Sequence, residues 1–236
     1  MPTPNGDYNK IFPYILISAV GLAFMAGLVN SCIISRIKNQ DDELNLAFYE
    51  AVKERLPGDS LDNIKSFLDK GVVVNPKWSN ADGYPPFLVA VSNEDISLVN
   101  LLLEYGADVN AVFVSPSGSE LNALTLAIHS GNVGLLKTLI KAGVDVNSYL
   151  KIKDTSLPVL WIALLEAPNP QIVVELLESG ADYTLNLGSS NILSRAADIM
   201  VSEMDVPKYV VHNLSELFIF VNAKKTEREN NNLIEL

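Results

Sequence analysis

The chain has 236 residues, a formal net charge of −11 and a single cysteine. That length holds one repeat domain of ~200 residues behind an apolar N-terminal segment, and a lone cysteine excludes an intramolecular disulfide framework. The acidic balance argues against nucleic acid as a partner, because a phosphate backbone is neutralised by Lys and Arg.

Residues 1–10 form an N-terminal tail. Ile11–Ile34 then runs for 24 residues without a charge, between Lys10 and the pair Arg36 and Lys38. At ~1.5 Å per residue a helix of this length crosses a hydrocarbon core of ~30 Å. Pro13 falls in its first turn, where proline is tolerated, and Tyr14 suits the interfacial belt. Two readings stand. One is a retained single-pass transmembrane anchor. The other is a lipoprotein-type signal, in which cleavage within Val29-Asn30-Ser31-Cys32 leaves Cys32 as the lipid-carrying N-terminus and places the rest in a bacterial envelope. The run exceeds the usual signal-peptide core of roughly 7–15 residues. Its small residues Ala19, Ala23, Gly27 and Ser31 are of a kind common in membrane helices. Positive charges flank both ends, so topology stays open. A short polar linker, 35–43, follows.

The rest of the chain is periodic. Gly71, Gly106, Gly143 and Gly180 are spaced by 35, 37 and 37 residues. Leu103-Glu104-Tyr105-Gly106-Ala107-Asp108-Val109-Asn110 recurs as Ile140-Lys141-Ala142-Gly143-Val144-Asp145-Val146-Asn147 and as Leu177-Glu178-Ser179-Gly180-Ala181-Asp182-Tyr183-Thr184. Seven, four and three places before each glycine stand apolar residues (Val99, Leu102, Leu103; Leu136, Leu139, Ile140; Val173, Leu176, Leu177), which is one face of a helix. The glycine supplies the left-handed residue that ends it. A shorter apolar helix precedes each: Phe87–Val91, Leu124–Ile128 and Val159–Leu165. A helix pair plus an extended loop cannot bury its apolar face alone and must stack on copies of itself.

These residues resemble the ankyrin repeat over about 42–184. The glycine-alanine-aspartate-valine-asparagine half matches well. The opening half departs from it: Pro85-Pro86-Phe87-Leu88 and Asn122-Ala123-Leu124-Thr125 replace the family's threonine-proline-leucine-histidine, so the hydrogen bonds that lock that turn are not expected. The resemblance implies an all-α solenoid with projecting loops, of about five units: 44–78, 79–115, 116–152, 153–188 and 189–223. The first and last read as caps. The tail, Lys224–Leu236, is polar and Asn-rich and is expected to fray.

No phosphate loop, nucleophile elbow or metal-spaced His/Cys cluster occurs. His129 and His212 are the two histidines. His129 ends a first helix on the side that lines the groove in ankyrin domains, with no carboxylate or nucleophile read beside it. Asn213-Leu214-Ser215 fits a glycosylation acceptor inside a predicted helix. Catalysis, cofactors, metals and a small-molecule substrate are therefore not expected.

The resemblance implies protein binding through loop tips and the adjacent groove. Three residues past Asn75, Asn110 and Asn147 lie Trp78, Phe113 and Leu150, with Tyr149 beside the last. A large apolar residue at one loop position in three units reads in one of two ways: as an exposed ladder, since loop aromatics are common interface anchors, or as residues that the longer loops fold back and bury on their own unit. Ser92, Asn93, His129 and Ser130, with Lys53 and Glu54, are the expected groove residues. The reading is a membrane-tethered adaptor or scaffold for a protein partner, a basic one if the acidic surface selects it. The alternative is an envelope inhibitor or immunity protein that occludes a toxin or enzyme.

Overall fold

The computed structural model describes residues 40–76, 84–115, 117–152, 155–187, 190–201 and 207–234. The expected anchor Ile11–Ile34, with Cys32, and the loop residue Trp78 lie outside the described residues. Among the described residues, no helix is long and apolar enough to cross a membrane.

The elements run α1 Gln40–Glu54, α2 Asp62–Asp69, α3 Pro86–Ser92, α4 Ile96–Glu104, β1 Val112–Val114, β2 Glu120–Asn122, α5 Ala123–Ser130, α6 Val133–Lys141, β3 Tyr149–Ile152, β4 Thr155–Pro158, α7 Val159–Glu166, α8 Gln171–Glu178, β5 Asn186–Leu187, β6 Ser190–Asn191, α9 Ile192–Val201 and α10 Lys208–Ile234. The helix pairs are those the periodicity predicts. The fold is not purely helical, however. Extended loops were expected; β3 with β4, and β5 with β6, form antiparallel hairpins. Helix α1 begins at Gln40, inside the expected linker, since polarity alone does not distinguish a helix's first turn from a connection.

These elements form two compact bodies. One comprises the described residues up to Asp108 together with Phe113–Ser117; the other comprises Val109–Val112 and the described residues from Gly118 onward. In the first, α1 packs on α2 and α3, and α3 on α4, around Phe48, Val52, Ile64, Leu88 and Leu102. A buried ion pair crosses this core: Arg55 Nε lies 2.8 Å from Asp95 Oδ2. The Arg55 guanidinium also donates to the Asp59 carbonyl at 2.7 Å, and Asp95 Oδ1 accepts from Leu98 N at 3.1 Å, capping α4.

In the second body α5 packs on α6 and α7, α6 and α7 pack on α8, and α10 covers α7, α8 and α9. Helices α5 and α7 are buried on nearly every side, from Ala123 to Ile128 and from Val159 to Leu164. That explains why these segments are apolar all round rather than amphipathic.

Each second helix ends as its glycine dictates. Gly71, Gly106, Gly143 and Gly180 have φ of +82°, +83°, +86° and +90°. The residues after the last three donate N–H groups back to Leu102, Leu139 and Leu176 carbonyls at 2.9, 3.1 and 2.9 Å, the six-to-one bond of a Schellman ending. The turn that opens the third unit is locked after all. Asn122 and Thr125 form a reciprocal capping box: Thr125 N donates to Asn122 Oδ1 at 3.0 Å, and Asn122 N to Thr125 Oγ1 at 3.1 Å. An asparagine–threonine pair thus does the work of the missing opening. Helices α3 and α7 start after Pro85 and Pro158 without a side-chain cap, relying on the fixed φ of proline.

First helix α5 ends on left-handed Gly131 (φ +69°). One repeat later the same position is Pro168, which cannot adopt that conformation. The end of α7 is satisfied from elsewhere. Asn213, on α10 and fully buried, donates its amide to the carbonyls of Ala163, Leu164 and Ala167 at 3.3, 3.3 and 2.9 Å. Asn213 occupies the repeat position of Leu102, Leu139 and Leu176. The asparagine of the Asn213-Leu214-Ser215 tripeptide is therefore sealed in the folded core. Where the next terminating glycine is due stands Leu217, buried against the body. Helix α10 consequently runs on to Ile234 instead of fraying from Lys224; Ala223, Lys224, Lys225 and Glu227 favour helix, and Lys224 Nζ meets Glu227 Oε2 at 2.9 Å.

Candidate protein-binding surface

The loops, or fingers, are built outward from the terminating glycines. An asparagine from one finger clamps the glycine–aspartate turn of the next repeat. Asn75 accepts from Asp108 N at 2.9 Å and donates to Gly106 O at 2.7 Å. Asn110 does the same to Asp145 N (2.8 Å) and Gly143 O (3.4 Å), and Asn147 to Asp182 N (2.7 Å) and Gly180 O (3.2 Å). The series begins with Asn45 of α1, which accepts from Val73 N at 2.7 Å in place of a preceding finger. It stops at Thr184, whose N–H and hydroxyl both turn back to Asp182 Oδ1. Asp145 likewise accepts from Asn147 N at 2.9 Å, fixing the finger's base.

Beyond the clamp, the strand alternation decides which side chains a partner can meet. In β3–β4, Leu150 pairs with Leu157 and Tyr149 with Pro158. Successive residues of a strand face opposite sides. Leu150 is 1% exposed, whereas its neighbour Tyr149 is 46% exposed. The preceding finger repeats the arrangement: Phe113 is 8% exposed and Val112 is 50% exposed. Phe113 stacks edge-on against Tyr84, ring centroids 4.9 Å apart. Of the two readings of the ladder, Phe113 and Leu150 therefore follow the folded-back one: both side chains are internal. The outward series sits one residue earlier, at Val112 and Tyr149, which are 37 residues apart. Tyr149 was singled out from the sequence and Val112 was not. The signal that finds Val112 is the two-residue strand period laid over the 37-residue repeat.

Of the groove residues, Ser92 and Asn93 are exposed at the end of α3, Glu54 is exposed, and Lys53 is half-buried at the end of α1. Ser130 donates its hydroxyl to the Ala127 carbonyl at 3.1 Å and accepts from Asn132 N at 3.2 Å, so it serves the helix ending. His129 is engaged on both ring nitrogens, Nδ1 with the Thr125 carbonyl at 2.7 Å and Nε2 with the Glu166 carboxylate. The sequence reading found no carboxylate for His129. Glu166 stands one repeat, 37 residues, further on at the equivalent position, so direct comparison of repeats reveals it. Burial lowers the His129 pKa, but the Glu166 hydrogen bond and charge, with the Thr125 carbonyl, outweigh it and hold the imidazole above its usual value. A histidine–carboxylate pair of this kind fixes the ring and orients a proton. Among the described residues, no group of three His, Cys, Asp or Glu side chains is placed to hold a metal.

The model of the ankyrin repeat matches residues 82–111, which covers α3, α4 and the clamped glycine–aspartate turn. Residues 82–111 thus read as an ankyrin repeat, and the chain is similar to ankyrin repeat proteins. It is 33% identical over 120 residues to an ankyrin repeat protein of fowlpox virus (strain NVSL), across 48% of this chain and 17% of that one. It is 28% identical over 177 residues to an ankyrin repeat protein of Acanthamoeba polyphaga mimivirus, across 66% and 54%. Over 69 residues it is 35% identical to human ankyrin repeat and SOCS box protein 14, across 29% and 11%. The chain thus spans from about a tenth to about half of the length of these relatives. Ankyrin repeats point to a protein–protein interaction module, and the family is generally non-catalytic.

Proposed function

We propose that this ankyrin-repeat chain is a membrane-tethered adaptor that holds a protein partner against its finger surface. The observation that carries the binding reading is the outward pair Val112 and Tyr149. These large apolar side chains recur at one finger position, half exposed, while their strand neighbours Phe113 and Leu150 are buried. Exposed apolar residues presented on a rigid hairpin lose little entropy on docking and make good anchors. The chain beyond residue 36 carries a net charge of −12, so the partner that fits presents an apolar residue flanked by basic ones. The tether rests on the uncharged run Ile11–Ile34; a short connection to the repeats raises the effective concentration of the domain toward membrane-associated partners.

Two measurements test this. The intact mass of the full chain extracted from membranes is expected to retain residues 1–34. A mass lacking residues 1–31 and carrying lipid on Cys32 overturns the retained anchor in favour of the lipoprotein form, and recovery from the soluble fraction overturns the tether altogether. A photo-crosslinker at Tyr149 in intact cells is expected to capture a defined partner, and the Val112→Ser/Tyr149→Ser variant to fold normally and lose at least tenfold in affinity for it, or ~1.4 kcal/mol. Unchanged affinity in that variant removes the finger surface from the reading.

A further inference from the structure

The link between His129 and Glu166 joins the ends of two consecutive first helices, α5 and α7, on the side of the second body that the groove residues occupy. Both imidazole nitrogens face acceptors: Nδ1 the Thr125 carbonyl of its own helix, Nε2 the Glu166 carboxylate of the next repeat. Both acceptors are oxygens, one of a peptide carbonyl and one of a carboxylate. Only the doubly protonated ring satisfies both, because a neutral imidazole has one N–H and one lone pair. The Glu166 side chain is 11% exposed and that of His129 44% exposed, so water reaches one half of the pair and scarcely the other.

We propose that His129 and Glu166 form a proton-operated clasp between the third and fourth repeats. It is closed while the imidazole holds both protons and opened when one leaves. Loss of one proton turns either the Nδ1 or the Nε2 lone pair toward an acceptor and leaves the mostly buried Glu166 carboxylate without its counter-charge, so the groove side becomes more negative and the joint between the two helix ends weakens. Positive-inward partners would then meet a changed surface, which makes the clasp a device for coupling partner binding to pH.

The surroundings leave this pair to itself. From α10, Tyr209 faces Glu166; burial first, then the Glu166 charge, raises its phenol pKa, so it stays neutral through the range concerned. The other charged groups on packed elements are occupied elsewhere. Lys137 of α6 pairs with Glu175 of α8 at 2.9 Å. Glu120 of β2 accepts from Lys151 N at 2.8 Å. His212 and Glu216 of α10 pair with each other at 3.4 Å. Lys141 of α6, Glu178 of α8 and Lys208 of α10 are exposed to solvent, which screens them. Thr155–Pro158 of β4 carries no charge.

The sign is fixed by the direction of the shift. With the folded value raised above 6.5, the clasp's contribution is complete below the unfolded histidine's pKa. It is lost as pH rises through the folded one.

The test uses the full chain in detergent. Its two histidines give two imidazole proton signals, assigned with a His212→Gln variant. His129 is expected to titrate above 6.5 and to shift downward in Glu166→Gln. Titration at or below 6.5, or no shift in that variant, overturns the clasp. Thermal midpoints of wild type and His129→Gln, followed from pH 5.5 to 9, form the second arm. The wild-type lead is expected at the acid end and to vanish at the alkaline end, in wild-type Glu166 background only. A lead that is independent of pH means the ring merely packs, and also overturns the proposal.

Discussion

The helical stack and the fingers share one period but obey different local rules. In the stack, Leu102, Leu139 and Leu176 stand at one repeat position and all are fully buried; equivalence along the chain translates directly into equivalence in space. In the fingers, Val112 and Phe113 are adjacent and face opposite ways, as do Tyr149 and Leu150. The 37-residue repeat says which residues correspond. Only the local period, 3.6 in a helix and 2 in a strand, says which of them meet water.

The sharpest way to break that contrast is to treat the finger's inner face as core. Leu150→Ala is expected to destabilise by about 2–5 kcal/mol, the same range as Leu139→Ala in the stack, because both delete a side chain with almost no solvent contact. Denaturant unfolding of the two variants, read through their midpoints at unchanged slope, checks this. A loss below ~0.5 kcal/mol for Leu150→Ala means the finger opens freely and the ladder at Trp78, Phe113 and Leu150 deserves restoration.

A polar residue inside the stack comes next. Asn213 sits in a leucine position and is held by three carbonyls at the end of α7. Asn213→Ala is expected to cost about 1–3 kcal/mol, since the carbonyls lose their donor in a buried site. Asn213→Leu, which restores the repeat's own residue, is expected not to recover the loss: Pro168 still denies α7 a left-handed ending. Full recovery by leucine would show that volume, not hydrogen bonding, sets this position.

Much of the stack was legible because the physics there is one-dimensional. Apolar residues three and four apart, then a glycine, specify a helix and its end without reference to the rest of the chain, and Gly71, Gly106, Gly143 and Gly180 behaved accordingly. What stayed hidden depended on partners far along the sequence. The hairpin at Tyr149–Pro158 needs its second strand to fix the register of its first. The Asn122–Thr125 capping box replaces the family's opening with different residue types and so escapes a motif comparison. Glu166 becomes His129's partner only when one repeat is laid on the next. Leu217 stands where the repeat would place a terminating glycine, so no stop signal falls there and α10 continues into the polar tail. The candidate surface suffered most, because facing is a tertiary property and a single residue of register reverses it.

The smallest expected effect separates the clamp from the core it decorates. Asn147→Ala removes two exposed hydrogen bonds, to Asp182 N and Gly180 O. Bonds that water can replace contribute little net, so the expected loss is about 1 kcal/mol, well short of Leu150→Ala. Its consequence for binding should be larger than for stability. Asn147 lies two residues before Tyr149 and ties the finger that presents it to the following repeat. Releasing the tie lets the hairpin sample other orientations, and a partner must then re-order it on docking. Hydrogen exchange at Tyr149–Ile152 is therefore expected to speed up in Asn147→Ala, while exchange in α6 and α8 stays as it was. Equal acceleration in all three segments would show that the asparagine clamps hold the stack itself, and that stack and fingers are one mechanical element rather than two.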